Sequence, residues 1–335
     1  MSLILVVAII LGLVLLLGHF GLPEPYLPGP PPPDADRIMP DAAPYRFEGK
    51  SGVCFILCHG FRGSAHNTRS LGEYIHQMGH TSVGVLLPGH GTTIQEMTKV
   101  RYYHWYDHLE KVFLEERSRY RKVILIGFSL GGMLTLDVAA RNADSFRPAA
   151  LITISAPVFL NGFYNGRLVL AHPTAALSGI MRIFQKEYPL DKGLPPGVQR
   201  QNPWVGYMDS MALDAFHSFK TSMRAVRSRL GRISVPYCSV MAANDQTVSA
   251  ENQFYIYSRI QSREKRAYML LLPPDLTNMH SLLTHHYASH KVFHFIRQFI
   301  DDTLHESGQG ENGSQPLLER VKDLFRRSDP QDLIH

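Results

Sequence analysis

The feature that most constrains this chain is the stretch from Val123 to Met133. It reads Val123-Ile124-Leu125-Ile126, then Gly127-Phe128-Ser129-Leu130-Gly131-Gly132, and a helical pattern of apolar residues opens at once with Met133, Leu134, Leu136 and Val138. A β-branched run, a Gly-x-Ser-x-Gly corner and an immediate helix predict strand, sharp turn and helix with no slack between them. Such a corner forces the serine into strained backbone geometry and lifts its hydroxyl clear of a sheet. Gly127 and Gly131 suit places where a Cβ would collide with neighbouring backbone. A bare Gly-x-Ser-x-Gly occurs by chance in many chains. With a strand before it and a helix after it, the motif marks Ser129 as a candidate nucleophile rather than a turn serine.

The 335 residues suit one large α/β domain with additions at both ends. The net charge of +5 is spread thinly, with no dense basic stripe, which argues against nucleic acid as a partner. Cys54, Cys58 and Cys238 all fall in or beside predicted strands, and an odd count without a framework reads as buried thiols.

The N-terminus departs sharply from the rest. Leu3 to Leu17 is wholly apolar and Gly18-His19-Phe20-Gly21-Leu22 extends it, so residues 1–22 are expected to form a transmembrane helix at the short end of the usual range. A cleaved signal peptide would want Lys or Arg before the apolar run and a small-x-small site after it. Met1-Ser2 carries no side-chain charge and Gly-His-Phe-Gly-Leu-Pro follows, so a retained single-pass membrane anchor is the expectation. The nearest arginine, Arg37, lies too far away to set the orientation. Residues 23–50, with four prolines at Pro30-Pro31-Pro32-Pro33, read as a stiff extended spacer. Residues 306–335 read as a polar linker and a short helix. That helix would carry Leu317, Leu318, Val321, Leu324 and Phe325 on one face, among Arg320, Lys322, Arg326 and Arg327, suiting an anionic membrane surface or a docking place on the domain.

Between these ends, residues 51–305 alternate strand and helix. Val53–Cys58, Thr81–Leu87, Lys122–Ile126, Ala149–Ile154, Tyr237–Ala242 and Arg266–Leu272 read as strands, and helical patterns fall between them and after the last. The alternation predicts a mostly parallel sheet with helices on both faces, and ligands in such sheets sit beyond the carboxyl ends of the strands. It breaks once, over about residues 158–230, where no clear strand is visible. Ile180, Met181, Ile183 and Phe184, then Met208, Met211, Leu213 and Phe216, make that stretch rich in Met and aromatics. This predicts a cap over the site, with flexible apolar side chains suited to an acyl chain; the bland alternative is more core.

A serine is a poor nucleophile until a positioned base takes its proton. The acid is expected at a strand end after Ser129, and Asp245 in Met241-Ala242-Ala243-Asn244-Asp245 stands there, whereas Asp209 and Asp214 lie on helical patterns in the cap. Asp275 is too close in sequence to the candidate histidine to come from a separate strand end. The base is expected after the last strand. His280 is the first histidine there, and His285 and His286 read as part of the following helix. Backbone N–H groups of Phe61, in the loop after the first core strand, and of Leu130, just after the nucleophile, are the candidate oxyanion donors. His59 and His90 read as loop braces. His286, His290 and His294, and likewise His104 and His108, recur at a spacing that can share a metal, but neither set has the His-Glu-x-x-His arrangement, so no metal site is expected.

From about Ser51 to Leu304 the chain resembles the α/β-hydrolases, and within them the bacterial monoacylglycerol lipases and related carboxylesterases. The resemblance rests on Cys58-His59-Gly60-Phe61-Arg62-Gly63-Ser64, Leu87-Pro88-Gly89-His90-Gly91, Ile126-Gly127-Phe128-Ser129-Leu130-Gly131-Gly132, and the Asn244-Asp245 and His280 segments, in that order. It implies Ser129 as nucleophile, Asp245 as acid, His280 as base, Phe61 and Leu130 as oxyanion donors, no cofactor, and a lipid or other carboxylic ester as substrate. Relatives often carry a small polar residue where Arg62 stands. The same machinery would serve a lysophospholipase, thioesterase or acyltransferase. A non-enzymatic membrane scaffold would be favoured only by loss of a triad member, and each has a candidate here. Oligomeric state is not legible.

Overall fold

The run Val-Cys-Phe-Ile-Leu-Cys at 53–58 is apolar without alternation, and every residue of it is buried. A strand can be apolar on both faces only where helices cover both, as they do in a parallel sheet. The computed structural model describes residues 3–20, 27–29, 35–164, 166–170, 173–190, 202–273, 276 and 279–306. In chain order the described elements are α1 (Leu3–Phe20), β1 (Tyr45–Phe47), β2 (Val53–Cys58), α2 (His66–Gln77), β3 (Thr81–Val85), α3 (Ile94–Thr98), α4 (Tyr102–Arg119), β4 (Lys122–Phe128), α5 (Leu130–Arg141) and β5 (Ala150–Ile154). There follow β6 (Gly162–Tyr164), β7 (Arg167–Val169), α6 (Pro173–Phe184), β8 (Glu187–Pro189), β9 (Ser210–Ala212), α7 (Leu213–Arg229), β10 (Tyr237–Ala242), α8 (Glu251–Arg259), β11 (Lys265–Leu270) and α9 (Ser289–Glu306).

Seven strands form one sheet in the order β1-β3-β2-β4-β5-β10-β11. Only β1 runs antiparallel, against β3; the other pairings are parallel, as the alternation predicts. The sheet thus takes in Tyr45–Phe47, upstream of the first expected strand. The inner strands β2, β5 and β10 are buried throughout, while edge strand β11 keeps partly exposed positions. Trp105 and Phe113 of α4, Leu134 and Val138 of α5, and Ile56, Leu125 and Leu151 of the strands belong to one buried core. Cys54, Cys58 and Cys238 are free and buried.

The cap region differs from its expected form. It contains two small antiparallel pairs, β6 with β7 and β8 with β9. Each strand has three residues, too few for alternation to register in sequence. The second pair joins segments some twenty positions apart, so tertiary contact makes it. Helix α7 serves both layers: it lies against α6 of the cap and against α5, and its Met223 and Val226 are part of the main core.

Helix α1 rests against α6, and its apolar side chains from Leu5 to Leu16 are largely exposed, Leu11 at 56%. Among the described residues no helix is long and apolar enough to cross a membrane; α1 itself spans 18 residues, and the burial of its side chains is described only for Leu5–Val14 and Leu16. In the spacer, Leu27 is held at the start of α4: its N–H donates to the Tyr103 hydroxyl at 2.8 Å, and His104 Nε2 meets its carbonyl at 2.8 Å. The proline run at 30–33, Asp275, Asn278 and the expected C-terminal helix lie outside the described residues.

Candidate active site

Strand β4 stops at Phe128 and α5 starts at Leu130, so Ser129 alone makes the corner. Its φ of 53° and ψ of −119° lie where an L-residue costs about 1–3 kcal/mol. The corner closes this tightly because Gly127 and Gly131, two residues to either side of Ser129, have no side chain. A Cβ on Gly127 would come 2.3 Å from the carbonyl oxygen of Gly131, and one on Gly131 would come 2.2 Å from that of Cys58. The first turn of α5 therefore sits directly on the end of β2.

The two partners come from strands on the other side of β4. Asp245 follows β10 and His280 lies beyond β11, and these strands are neighbours in the sheet. The Ser129 hydroxyl donates to His280 Nε2 at 2.9 Å, and His280 Nδ1–H donates to Asp245 Oδ2 at 2.7 Å. The other Asp245 oxygen accepts from the backbone N–H groups of Thr247 at 2.8 Å and Val248 at 3.0 Å. These donors fix the carboxylate, which in turn fixes the imidazole tautomer with an unprotonated Nε2 facing the serine. The Asp245 side chain is fully covered and that of His280 is 9% exposed, so water competes weakly for either bond.

Further supports carry no signature that spacing could reveal. Ser155, at the end of β5 with φ 49°, donates its hydroxyl to the His280 carbonyl at 3.3 Å. The Asn244 amide donates to the Leu272 carbonyl at 2.8 Å, tying the acid loop to the chain beyond β11. Of the alternative histidines, His285 is buried, and its Nδ1 accepts from the Tyr287 N–H at 3.1 Å rather than turning to the serine.

The loop of the candidate oxyanion donor Phe61 follows β2, which pairs with β4. Gly60 to Gly63 forms a tight turn closed by the Gly63 N–H on the Gly60 carbonyl at 3.1 Å, with Phe61 and Arg62 inside it. A Cβ on Gly60 would stand 3.1 Å from the Ser129 Cβ, so this turn lies against the corner. Leu130 opens α5, where N–H groups lack intrahelical acceptors. Phe61 and Leu130 thus flank the nucleophile from two neighbouring strand ends. His59 braces the loop: its Nδ1–H donates to the Gly60 carbonyl at 2.9 Å and its Nε2 accepts from the Leu87 N–H at 3.1 Å. Burial pushes its pKa down to about 4, and burial pushes that of His90, whose ring lies 4.8 Å away, well below the usual histidine range. His90 Nδ1 meets the Pro88 carbonyl at 3.3 Å. Among the described residues no group of three His, Cys, Asp or Glu is placed to hold a metal ion.

A serine activated in this way, at the end of a central parallel strand, defines the class: a serine hydrolase of the α/β-hydrolase fold. The chain belongs to the Hydrolase_4 family, described as serine aminopeptidase, S33, which it matches over residues 50–270. It is 25% identical over 233 residues to the thermostable monoacylglycerol lipase of Bacillus sp. strain H-257, covering 68% of this chain and 84% of that one. It is 21% identical over 227 residues to a carboxylesterase of Bacillus subtilis strain 168, covering 67% of this chain and 84% of that one. In fold it is similar to a structure reported for the metagenome-derived lipolytic enzymes LipS and LipT, with a TM-score of 0.65 at 23% identity over 78% of this chain and 99% of that one. The Paleococcus ferrophilus monoacylglycerol lipase has a TM-score of 0.62 at 15% identity, over 78% of this chain and 98% of the other. The lipase–esterase reading of the sequence and the fold of the domain therefore agree.

Proposed function

We propose that this chain cleaves carboxylic esters of lipids, monoacylglycerols or similar acyl glycerols among them, through an acyl-enzyme on Ser129, while residues 1–22 hold it to a membrane. The observation that carries the chemistry is the relay from Ser129 through His280 to Asp245, at 2.9 and 2.7 Å. Ser129 Oγ attacks the ester carbonyl as His280 Nε2 takes its proton. The Phe61 and Leu130 N–H groups receive the developing oxyanion, and His280 then protonates the leaving alcohol. Water repeats the sequence and frees the acid. Asp245 accepts from His280 Nδ1–H and stabilises the imidazolium that forms.

The choice of substrate is supported by the two Bacillus relatives and by the walls near the site. Half-buried Phe61 and Phe216, whose rings lie 5.9 Å apart, sit over the buried rings of Phe219 and Trp105 and offer apolar contact to an acyl chain. The anchor reading rests on the apolar run from Leu3 to Leu17.

A fluorophosphonate probe tests the chemistry. It labels the wild type and leaves Ser129→Ala unlabelled; equal labelling of the two, or none of either, overturns the assignment. Turnover of a monoacylglycerol, a lysophospholipid, an acyl-thioester and an aminoacyl amide then tests the substrate class, and faster turnover of any of the last three displaces the glycerol ester reading.

A further inference from the structure

The oxyanion turn holds a residue that its backbone does not favour. Arg62 sits at φ 65°, a conformation glycine adopts freely and arginine does not. The side chain that makes this position unfavourable holds two backbone carbonyls of the cap region. Its Nε donates to the Tyr207 carbonyl at 2.9 Å and its Nη2 to the Met208 carbonyl at 2.8 Å. In return the Tyr207 N–H donates to the carbonyl of Arg62 itself at 2.8 Å. Burial pushes the guanidinium down to about 10, with the charge of Asp209 working the other way.

The partner segment lies within the cap region, some 145 residues away in sequence. It lies flat on the turn: a Cβ on Gly206 would stand 1.9 Å from the Arg62 carbonyl oxygen. Ser64 donates its hydroxyl to the Val205 carbonyl at 2.9 Å, extending the seam by one residue. From the other side, the buried Tyr207 hydroxyl reaches the Pro-Gly-His-Gly turn. It lies 2.6 Å from the Gly89 carbonyl and 2.9 Å from that of Thr93, and accepts from the Thr92 N–H at 3.2 Å. Segment Val205–Met208 thus joins the two loops beside the nucleophile, and the grip on the oxyanion turn falls one residue past the donor Phe61.

Taking the site as the serine ester hydrolase proposed above, we propose that Arg62 and Tyr207 are positioning residues of the oxyanion hole. The cap segment, gripped by Arg62, holds the turn that aims the Phe61 N–H at the reacting carbonyl oxygen. The cap is then part of the catalytic geometry as well as a cover: if Val205–Met208 moves away, the donor loses its aim while Ser129, His280 and Asp245 stay in register.

Arg62→Gly separates this role from a merely structural one, because glycine suits the backbone and removes only the grip. The full-length protein is first titrated with a fluorophosphonate to count active sites; kcat and KM for a soluble ester and Ki for a trifluoromethyl ketone, which forms a tetrahedral oxyanion on the serine, are then measured per site. In Arg62→Gly, kcat per site falls about 10- to 100-fold, KM moves less than about threefold, and Ki rises in step with the loss of kcat/KM. Arg62→Lys, which can still donate to one carbonyl, recovers part of the loss. Tyr207→Phe, which removes a single oxygen, moves kcat and Ki in the same direction and decides the matter should Arg62→Gly fail to fold. Unchanged kcat per site and Ki, with only a smaller titrated fraction, overturn the proposal in favour of a structural role. A rise in KM alone overturns it in favour of substrate binding. No labelling of the wild type removes the hydrolase reading and this one with it, and is seen before any variant is made.

Discussion

Ser129, Arg62 and Ser155 all stand at positive φ, and all three lie at the carboxyl ends of sheet strands around one rim. Local backbone cost is concentrated where the chemistry is, and the surrounding hydrogen bonds keep each residue in place. His59 shows the same economy in a titratable group. Its neutral ring bridges the Gly60 carbonyl and the Leu87 N–H, and burial holds its pKa at about 4 in the folded protein. Below about pH 6.5 the unfolded chain takes up a proton there that the folded chain refuses until about pH 4. The contribution is therefore complete above pH 6.5 and is lost as pH falls toward 4, by about 3 kcal/mol for this residue. His90 and His108, also shifted down chiefly by burial, act in the same direction. Melting temperature recorded from pH 7.5 to 4.5 should fall most steeply across the acid half. His59→Gln, which can keep both backbone bonds without titrating, should show a shallower slope; an identical slope in the two proteins refutes this role.

Among the elements, the join of β2, β4 and α5 sets the position of the nucleophile. Gly131 admits the helix against the Cys58 carbonyl, and Gly127 admits it against its own strand. The neighbours there are backbone, which cannot swing aside as a side chain can. Gly131→Ala should cost about 3 kcal/mol or more. Gly52→Ala, at φ 74° with open space around it, should cost only about 1 kcal/mol. Urea midpoints of the two variants give the comparison, and equal losses would show that the helix can retreat from the strand without penalty. The elements that carry Ser129, Asp245 and His280 were readable because each of these residues follows a strand whose apolar run is local: β4 before Ser129, β10 before Asp245, β11 before His280. The small cap strands and β1 were not readable. Three-residue strands have no period of their own, and their pairing is made by segments distant in the chain.

For the molecule as a whole, the proposed anchor makes the sharpest statement. The exposed apolar side chains of α1, together with Phe163, Leu168, Leu170, Ile183 and Phe184 in the cap region, leave much hydrophobic surface in contact with solvent. Surface of that kind is costly in water and commonly marks a membrane or protein contact. With residues 1–22 present, the protein should sediment with membranes and be released by detergent but not by alkaline carbonate. Without them it should remain in the supernatant and still react with a fluorophosphonate. Identical fractionation of the two forms refutes the anchor.

The amino-acid sequence by itself determined the order of the six parallel strands, the corner at Ser129 and the small residues that let it close, because these depend on neighbours within a few positions. Only the tertiary structure decided that His280 rather than His285 faces the serine, that Ser155 steadies the imidazole segment, and that Arg62 grips a cap segment 145 residues away. Such contacts form only after the common core has brought remote segments together, and their strength depends on the burial and orientation that the core imposes.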